Sequence, residues 1–362
     1  MKLLIVSDMH LGRGRFLSNG KLNVLEDFDE DERFAELLEH YSSGTYYFSE
    51  INLILNGDIL NLIQLDVDGI HTHLLREEDI VSQLDGIIKG HPVFFEALRK
   101  FAAKPQKTIT YVIGNHDIGM VSEKAQAKFN EAVGCKVEFT MAYFNHGVWI
   151  EHGHRFESIN NVPQSKIFVP GPGGTPILNL PWGALFCLYL MPELKKDRPY
   201  FDKVRPMSLY LRWSLINDTS FFMKLFFMVI KYMFVTQFKR YTQYNKNFRV
   251  RWTQIFQFSV YPWYVSKAKR VFSTRPDVKV VIMGHTHITE WRRFKGDKFY
   301  LNTGTWNNVP SVDAGMHRTI SHLTYVKVEC DPETKKVLNT YINSWQGKWK
   351  PYREEASTAI RY

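Results

Sequence analysis

The chain opens on Met1-Lys2-Leu3-Leu4-Ile5-Val6-Ser7-Asp8-Met9-His10, and the reading of this stretch decides the fold. Four apolar residues, Leu3 to Val6, stop abruptly at Ser7 and Asp8. That run is too short for the apolar core of a signal peptide, so no secretory export is expected. A short aliphatic run with branched side chains reads as a buried strand. It delivers a carboxylate and an imidazole, Asp8 and His10, at its exit.

Four further runs repeat this design: Ile51–Leu55, Thr108–Ile113, Val148–Ile150 and Val278–Met283. Helical patterns separate them at Glu30–Tyr41, Pro92–Ala103 and Ser122–Val133, and strands alternating with helices indicate an α/β architecture. Near the end, Thr324–Glu329 and Val337–Ser344 flank Asp331-Pro332-Glu333-Thr334, the pattern of an antiparallel hairpin.

Each strand-like run ends in a polar cluster. They are Asp8-Met9-His10, Gly57-Asp58, Gly114-Asn115-His116-Asp117, His152-Gly153-His154 and Gly284-His285-Thr286-His287. Open α/β sheets place their ligand sites at such strand exits. Carboxylate, amide and imidazole donors without thiolate suit Mn²⁺, Fe or Zn²⁺, and a pair of such ions in particular. The three cysteines, Cys135, Cys187 and Cys330, are far apart and form no CxxC, which argues against a disulfide framework or a thiolate zinc site and for a reducing compartment.

Other histidines fit plainer roles. His71-Thr72-His73 follows no apolar strand and precedes the charged run Arg76-Glu77-Glu78-Asp79, so a surface loop or helix start is expected there. His40, His91, His146, His317 and His322 read as surface or packing residues.

The five clusters, in this order, resemble the signature of the calcineurin-like metallophosphoesterases: D-x-H, G-D, G-N-H-[D/E], H-G and G-H-x-H. The resemblance covers about 1–155 and 276–362. It implies a four-layer α/β/β/α sandwich of two mixed sheets flanked by helices. It also implies that Asp8, His10 and His287 hold one divalent metal, Asn115, His152 and His285 a second, and that Asp58 bridges them. Mn²⁺ is the first expectation, with Fe or Zn²⁺ as alternatives.

Physical chemistry supports such roles. Two cations roughly 3.5–4 Å apart lower the pKa of a shared water, and the hydroxide attacks phosphorus in line. His116 would stabilise or protonate the leaving oxygen, with Asp117 orienting it. His154 is expected behind the ligands or facing substrate. Arg13 and Arg15, just past the first ligand pair, are candidates to reach a phosphate.

Residues 156–275 depart from the α/β rhythm and read as an inserted, mostly helical subdomain. The stretch from Arg155 to Arg275 carries a net charge of +14, while the rest of the chain carries −5; together these make the +9 of the whole. The same third of the chain holds 26 of the 53 aromatic residues. Within it, Phe221–Val235 has 13 apolar residues among 15, interrupted by Lys224 and Lys231. At about 20 residues for a membrane span, this run is short, and an interfacial or lid helix fits better. A second apolar run, Ile177–Met191, precedes Lys195-Lys196. Basic residues among aliphatic and aromatic ones suit an anionic lipid surface.

The expected substrate is therefore a lipid-linked or amphipathic phosphorylated molecule, met by a peripheral protein on the cytoplasmic face of a membrane. The insert is similar to the lid of the UDP-diacylglucosamine pyrophosphohydrolases. That branch usually carries Arg where this chain has His116, and its lid is shorter. Two alternatives stand beside this reading. One is a nuclease whose insert binds nucleic acid through basic and aromatic residues. The other is a non-catalytic scaffold on the same fold.

Overall fold

The structure, a computed structural model, describes residues 1–358 apart from Ser18, Asp68, 199–203, 205–206, 239–263, 308–322, Pro332 and Lys335. His317 and His322 thus lie outside the described residues. Chain order runs β1 (Lys2–Val6), α1 (Asp31–His40), β2 (Ile51–Asn56), α2 (Glu77–Gly90), α3 (Pro92–Ala102) and β3 (Lys107–Val112). Then follow α4 (Glu123–Val133), β4 (Glu138–Thr140), β5 (Tyr143–Asn145), β6 (Val148–Ile150), β7 (Phe168–Pro170) and β8 (Pro176–Leu178). Four helices come next: α5 (Trp182–Tyr189), α6 (Met191–Asp197), α7 (Met207–Asn217) and α8 (Thr219–Phe238). The chain closes with α9 (Tyr264–Thr274), β9 (Val280–Met283), β10 (Thr289–Phe294), β11 (Lys298–Thr303), β12 (Thr324–Cys330), β13 (Val337–Trp345) and β14 (Tyr352–Ser357).

Two mixed sheets result. The larger has the order β14-β13-β12-β1-β2-β3-β4, and the smaller β10-β11-β9-β6-β5. The pleat explains how they stack. On β1, Leu3 and Ile5 point into an apolar layer shared with Val148, Ile150, Val280 and Ile282 of the second sheet. Their neighbours Leu4 and Val6 point the other way, into the layer packed by Phe34 of α1, Leu84 of α2, Phe94 of α3 and Phe129 of α4. All four side chains of β1 are at most 1 % exposed, and each such burial contributes about 2 kcal/mol. On the far side, Val281 and Met283 of β9 meet Tyr264, Ala268 and Val271 of α9. The layers are therefore helix, sheet, sheet, helix, as the resemblance noted above implies.

Local chemistry sets the helix ends near the site. Pro92 starts α3, where its missing N–H costs nothing. Ser122 caps α4 by accepting from Ala125 N at 3.3 Å, and Gly134 ends it in the left-handed conformation. The run at Arg76–Asp79 proves to be a helix start: Asp79 accepts from the Arg76 backbone N–H and opens α2. The expected hairpin pairs β12 with β13, closing at Cys330 opposite Val337.

Parts of the stretch expected as an insert pack onto the core. Helix α9 falls inside 156–275, yet its buried face forms the outer layer on the second sheet. Other described residues of the stretch join the core as well. Leu178, Trp182, Leu185, Phe221 and Tyr232 belong to the same apolar cluster as α1–α4. His73, expected on a surface loop, is buried, with Nδ1 2.7 Å from the Tyr189 hydroxyl of α5. His91 is a packing residue in a buried ionic cluster with Glu26 and Asp31.

Candidate metal centre

Topology brings the polar clusters together. β1, β2 and β3 run parallel side by side in one sheet, and β6 runs parallel to β9 in the other. Their carboxyl ends meet along one edge of the seam between the sheets. Asp8 and His10 leave β1, Asp58 leaves β2, Asn115 and His116 leave β3, His152 leaves β6, and His285 and His287 leave β9.

Among the described residues, three groups of side chains hold their potential ligand atoms within 4.8 Å of one another: Asp8, His10 and His287; Asp58, His152 and His285; and His10, Asp58 and His116. His10 Nε2 lies 3.1 Å from His287 Nε2. His152 Nε2 lies 3.0 Å from Asp58 Oδ2, and its Nδ1 donates to the Asn56 carbonyl at 2.9 Å. That second bond fixes the ring so that Nε2 faces the centre. Asn115 Oδ1 is buried and has no hydrogen-bond partner among the described residues. Such an orphaned acceptor is costly unless something electropositive meets it.

The backbone carries the same message. Of eight non-glycine residues with positive φ among those described, five are Asp8, His10, Asp58, His285 and His287. Each costs on the order of 1 kcal/mol or more, and strain of this kind is kept where function over-determines the geometry. Gly57 is required for close approach: its φ is +77°, and a Cβ there would stand 2.6 Å from the His152 ring. Thr305 Oγ1 donates to the Asp8 carbonyl at 2.6 Å and Asn302 Nδ2 to the Gly284 carbonyl at 2.8 Å, bracing the two ligand loops.

Electrostatics show what the centre attracts. Burial opposes ionisation of Asp58, but His152 and His116 outweigh it and hold the carboxyl well below its ordinary range. Burial likewise works against a charged His152, yet Asp58 and Asp8 drive it up to about 10. Two buried carboxylates therefore create a strong demand for positive charge. Carboxylates, imidazoles and one amide oxygen, preorganised at this spacing, fit a pair of divalent metals.

His116 and Asp117 follow one another in sequence but point apart, and the expected partnership between them is corrected. Asp117 accepts from Tyr111 Oη at 2.6 Å, from Gly114 N at 2.6 Å and from Ile59 N at 2.9 Å. It ties the exit of β3 to the exit of β2 behind the site, and burial and the Asp58 charge push it up to about 6. The partner of His116 is Asn61, whose Oδ1 lies 2.9 Å from His116 Nδ1. Burial outweighs Asp58 at His116 and lowers it to about 4.

The residues expected to touch substrate divide. Arg13 is engaged by Asp66, through Nη1 to Oδ1 at 2.6 Å and Nη2 to the carbonyl at 2.7 Å, and braces two loops. Arg15 is exposed beside the Phe16 ring. His154 is buried, with its ring centroid 5.6 Å from that of His152, and belongs to none of the three ligand groups.

Sequence reasoning missed Asn61 and Glu157. Asn61 carries a faint signal, a polar residue three positions after Asp58. Glu157 accepts from His285 Nε2 at 2.9 Å, Tyr264 Oη at 2.9 Å and Asn160 Nδ2 at 2.9 Å. Burial would raise its pKa, but His285 and these donors hold it below the ordinary value. Nothing in the sequence marks it, because its partners arrive from distant segments.

The chain matches the family Metallophos, calcineurin-like phosphoesterase, over residues 1–289. No curated protein matches it. Among solved structures it is similar to a dimetal phosphatase from Danio rerio, at 9 % identity, covering 94 % of this chain and 95 % of that one, with a TM-score of 0.37. It is also similar to Vps29 complexed with Zn²⁺ from Entamoeba histolytica, at 10 % identity, 95 % and 92 % coverage and a TM-score of 0.30. A third is an archaeal phosphodiesterase, at 12 % identity, 94 % and 99 % coverage and a TM-score of 0.30. The sequence match spans most of the chain and includes every candidate ligand. The chain belongs to the calcineurin-like phosphoesterases and is a metal-dependent phosphoester hydrolase of that family, which implies a dinuclear divalent metal site.

Proposed function

We propose that this hydrolase cleaves a phosphoester or pyrophosphate bond in a lipid-linked or otherwise amphipathic substrate, working as a peripheral protein on the cytoplasmic face of an anionic membrane. The observation that carries this reading is the outward face of α8. Phe226, Phe227, Ile230, Phe234, Val235 and Phe238 are 36–80 % exposed, while the inward strip is Phe221, Leu225, Tyr232 and Thr236. A helix on a water-facing surface normally carries polar and charged residues on its outward face. Trp213 and Ile216 of α7 add to the exposed apolar surface, and contiguous patches of this kind mark protein or membrane contacts.

Helix α8 has 20 residues, longer than the expected run, and among the described residues it alone is long and apolar enough to cross a membrane. Only 22 % of Thr219–Thr236 is buried. Its inward strip is nevertheless fastened to the body: the Tyr232 ring lies 5.3 Å from Trp182, and Tyr232 Oη donates to the Trp182 carbonyl at 3.2 Å. A helix fastened sideways fits a position along the membrane surface, with exposed Lys231 reaching headgroups.

Two divalent cations, Mn²⁺ first and Fe or Zn²⁺ as alternatives, would supply an activated water and neutralise charge at phosphorus. Asp8, His10 and His287 would hold one ion, Asn115, His152 and His285 the other, and Asp58 would reach both. His116, with Nδ1 donating to Asn61, would offer Nε2 to the leaving oxygen.

The test combines assay and flotation. The purified chain with Mn²⁺ is expected to hydrolyse lipid pyrophosphates or aryl phosphoesters and to float with phosphatidylglycerol vesicles. A chain that stays in the soluble fraction overturns the membrane reading. Salt-dependent nucleic-acid binding with cleavage would favour the nuclease instead. Absence of hydrolysis with every metal and substrate overturns the catalytic assignment.

A further inference from the structure

Glu157 and Tyr264 stand at the two ends of the insert, 107 residues apart, and are joined by the Tyr264 Oη to Glu157 Oε1 bond of 2.9 Å. The other carboxylate oxygen accepts from His285 Nε2 at 2.9 Å and from Asn160 Nδ2 at 2.9 Å. A third segment presses on this group. Gly183, at the start of α5, donates its N–H to the Ile159 carbonyl at 2.9 Å. A Cβ on Gly183 would collide with Asn160 Oδ1. Glu157 is buried, and every polar contact just named is internal to the fold.

From this geometry we infer that Glu157 is a positioning residue for the metal centre, orienting His285 for the ion it shares with Asn115 and His152, and that the insert sets metal affinity through it. An imidazole has two nitrogens. When Nε2–H donates to a carboxylate, the tautomer is fixed and Nδ1 is left as the ligand atom, with its basicity raised. Glu157 reaches His285, a ligand of the second ion, so the effect falls on one ion of the two. Tyr264 and Asn160 hold the carboxylate, and α5 bonds through Gly183 N–H to the carbonyl of the neighbouring Ile159. The insert is thus built into the metal centre as well as covering surface nearby. The inference rests on the two-metal assignment proposed above.

The experiment is calorimetric titration of the metal-stripped full chain with Mn²⁺, with thermal unfolding in chelator as a control on folding. The wild-type chain is expected to take up two ions. Glu157→Gln is expected to weaken one ion by about 10- to 100-fold, the range typical of a partner behind a ligand, and to leave the other unchanged. Gly183→Ala, which changes no ligand and presses on Asn160, is expected to shift the same ion in the same direction. If Glu157→Gln fails to fold, Tyr264→Phe, which keeps the ring and removes only the hydroxyl, carries the comparison. Unchanged affinities for both ions, or equal weakening of both, overturn the inference while leaving the two-metal assignment intact. A wild-type chain that takes up no Mn²⁺ overturns both.

Discussion

Asn61 Oδ1 faces His116 Nδ1 across 2.9 Å. An amide oxygen can only accept, so this contact puts the proton on Nδ1 and leaves Nε2 for chemistry at the centre. A neutral amide orients the ring without adding charge. Replacing it with a carboxylate changes one property at a time: Asn61→Asp keeps the orientation but favours the imidazolium. The His116 pKa then rises, and the pH above which a protonated acid is lost moves upward with it. A displacement of about one pH unit in the rate profile is expected. Asn61→Ala should instead lower kcat by on the order of tenfold at every pH. An unchanged profile in Asn61→Asp would remove His116 from proton transfer.

Asp58 sits between the two ligand groups. Its Oδ2 is 3.0 Å from His152 Nε2 and 3.9 Å from His10 Nε2, and its Oδ1 accepts from the His116 N–H at 2.8 Å. Asp58→Asn is nearly isosteric but removes the charge that offsets repulsion between two cations. Loss on the order of 100-fold in Mn²⁺ affinity is expected for both ions, with activity falling at least as far. Metal analysis after dialysis separates this from a purely catalytic defect. Retention of two tightly held ions would show that Asp58 does not bridge.

The strand-exit clusters were legible because each is contiguous in sequence and follows an aliphatic run that has one stable use. Once Leu3–Val6 and Val280–Met283 form parallel strands of facing sheets, Asp8 and His285 are forced to the same edge. The partners behind those ligands are not contiguous. Asn61 and Glu157 meet their histidines only after folding, and adjacency in sequence pointed instead to Asp117, whose side chain leaves in the opposite sense. Helix α8 poses another limit. Lys224 and Lys231, seven residues apart, fall on nearly one line of a helix, but a run apolar on its remaining circumference does not say which strip packs. Tyr232 against Trp182 settles that.

His91 offers a pH-dependent test away from the ligands. It is 2 % exposed, with Nδ1 3.0 Å from Asp31 Oδ1 and Nε2 3.4 Å from Glu26 Oε2. Burial alone would lower its pKa, but the two carboxylates outweigh it and raise it to about 9. The folded state therefore binds this proton more tightly than the unfolded chain does. The stabilisation is fully present below about 6.5 and is lost as pH rises through about 9; its full value is on the order of 3 kcal/mol. Glu26 also accepts from Gly12 N and Gly14 N, just past His10. Urea unfolding at intervals from pH 6 to 10 should show the decline in the wild-type chain and a flatter curve in His91→Gln. Parallel curves would assign the proton elsewhere.

Lys195 of α6 is wholly buried and pairs with Asp27 at 3.1 Å, anchoring the insert beside Glu26. Breaking a buried ion pair by removing one member is costly, and Lys195→Met is expected to cost about 3–5 kcal/mol. Lys195→Met combined with Asp27→Leu should recover most of that loss, since an apolar pair of similar volume avoids desolvating two ions. Chemical denaturation of the single and double variants measures the coupling directly. A double variant no more stable than the single one would show that the anchor does not depend on this pair.

The outward apolar face of α8 makes the most discriminating prediction about substrate delivery. Phe227 is 60 % and Phe234 67 % exposed, so changing them removes little internal packing. Burying each phenyl ring in lipid is worth about 2 kcal/mol, or roughly thirtyfold in partitioning. Phe227→Glu and Phe234→Glu should each lower flotation with phosphatidylglycerol vesicles by about that factor. Thermal unfolding and turnover of a soluble aryl phosphoester should stay near wild-type values. Turnover of a lipid pyrophosphate embedded in vesicles should fall with the flotation. If flotation is unchanged while a dimer present in the wild-type chain dissociates, the face belongs to a second copy. The split between soluble and embedded substrates would then disappear, because the metal centre would meet both from the same aqueous side.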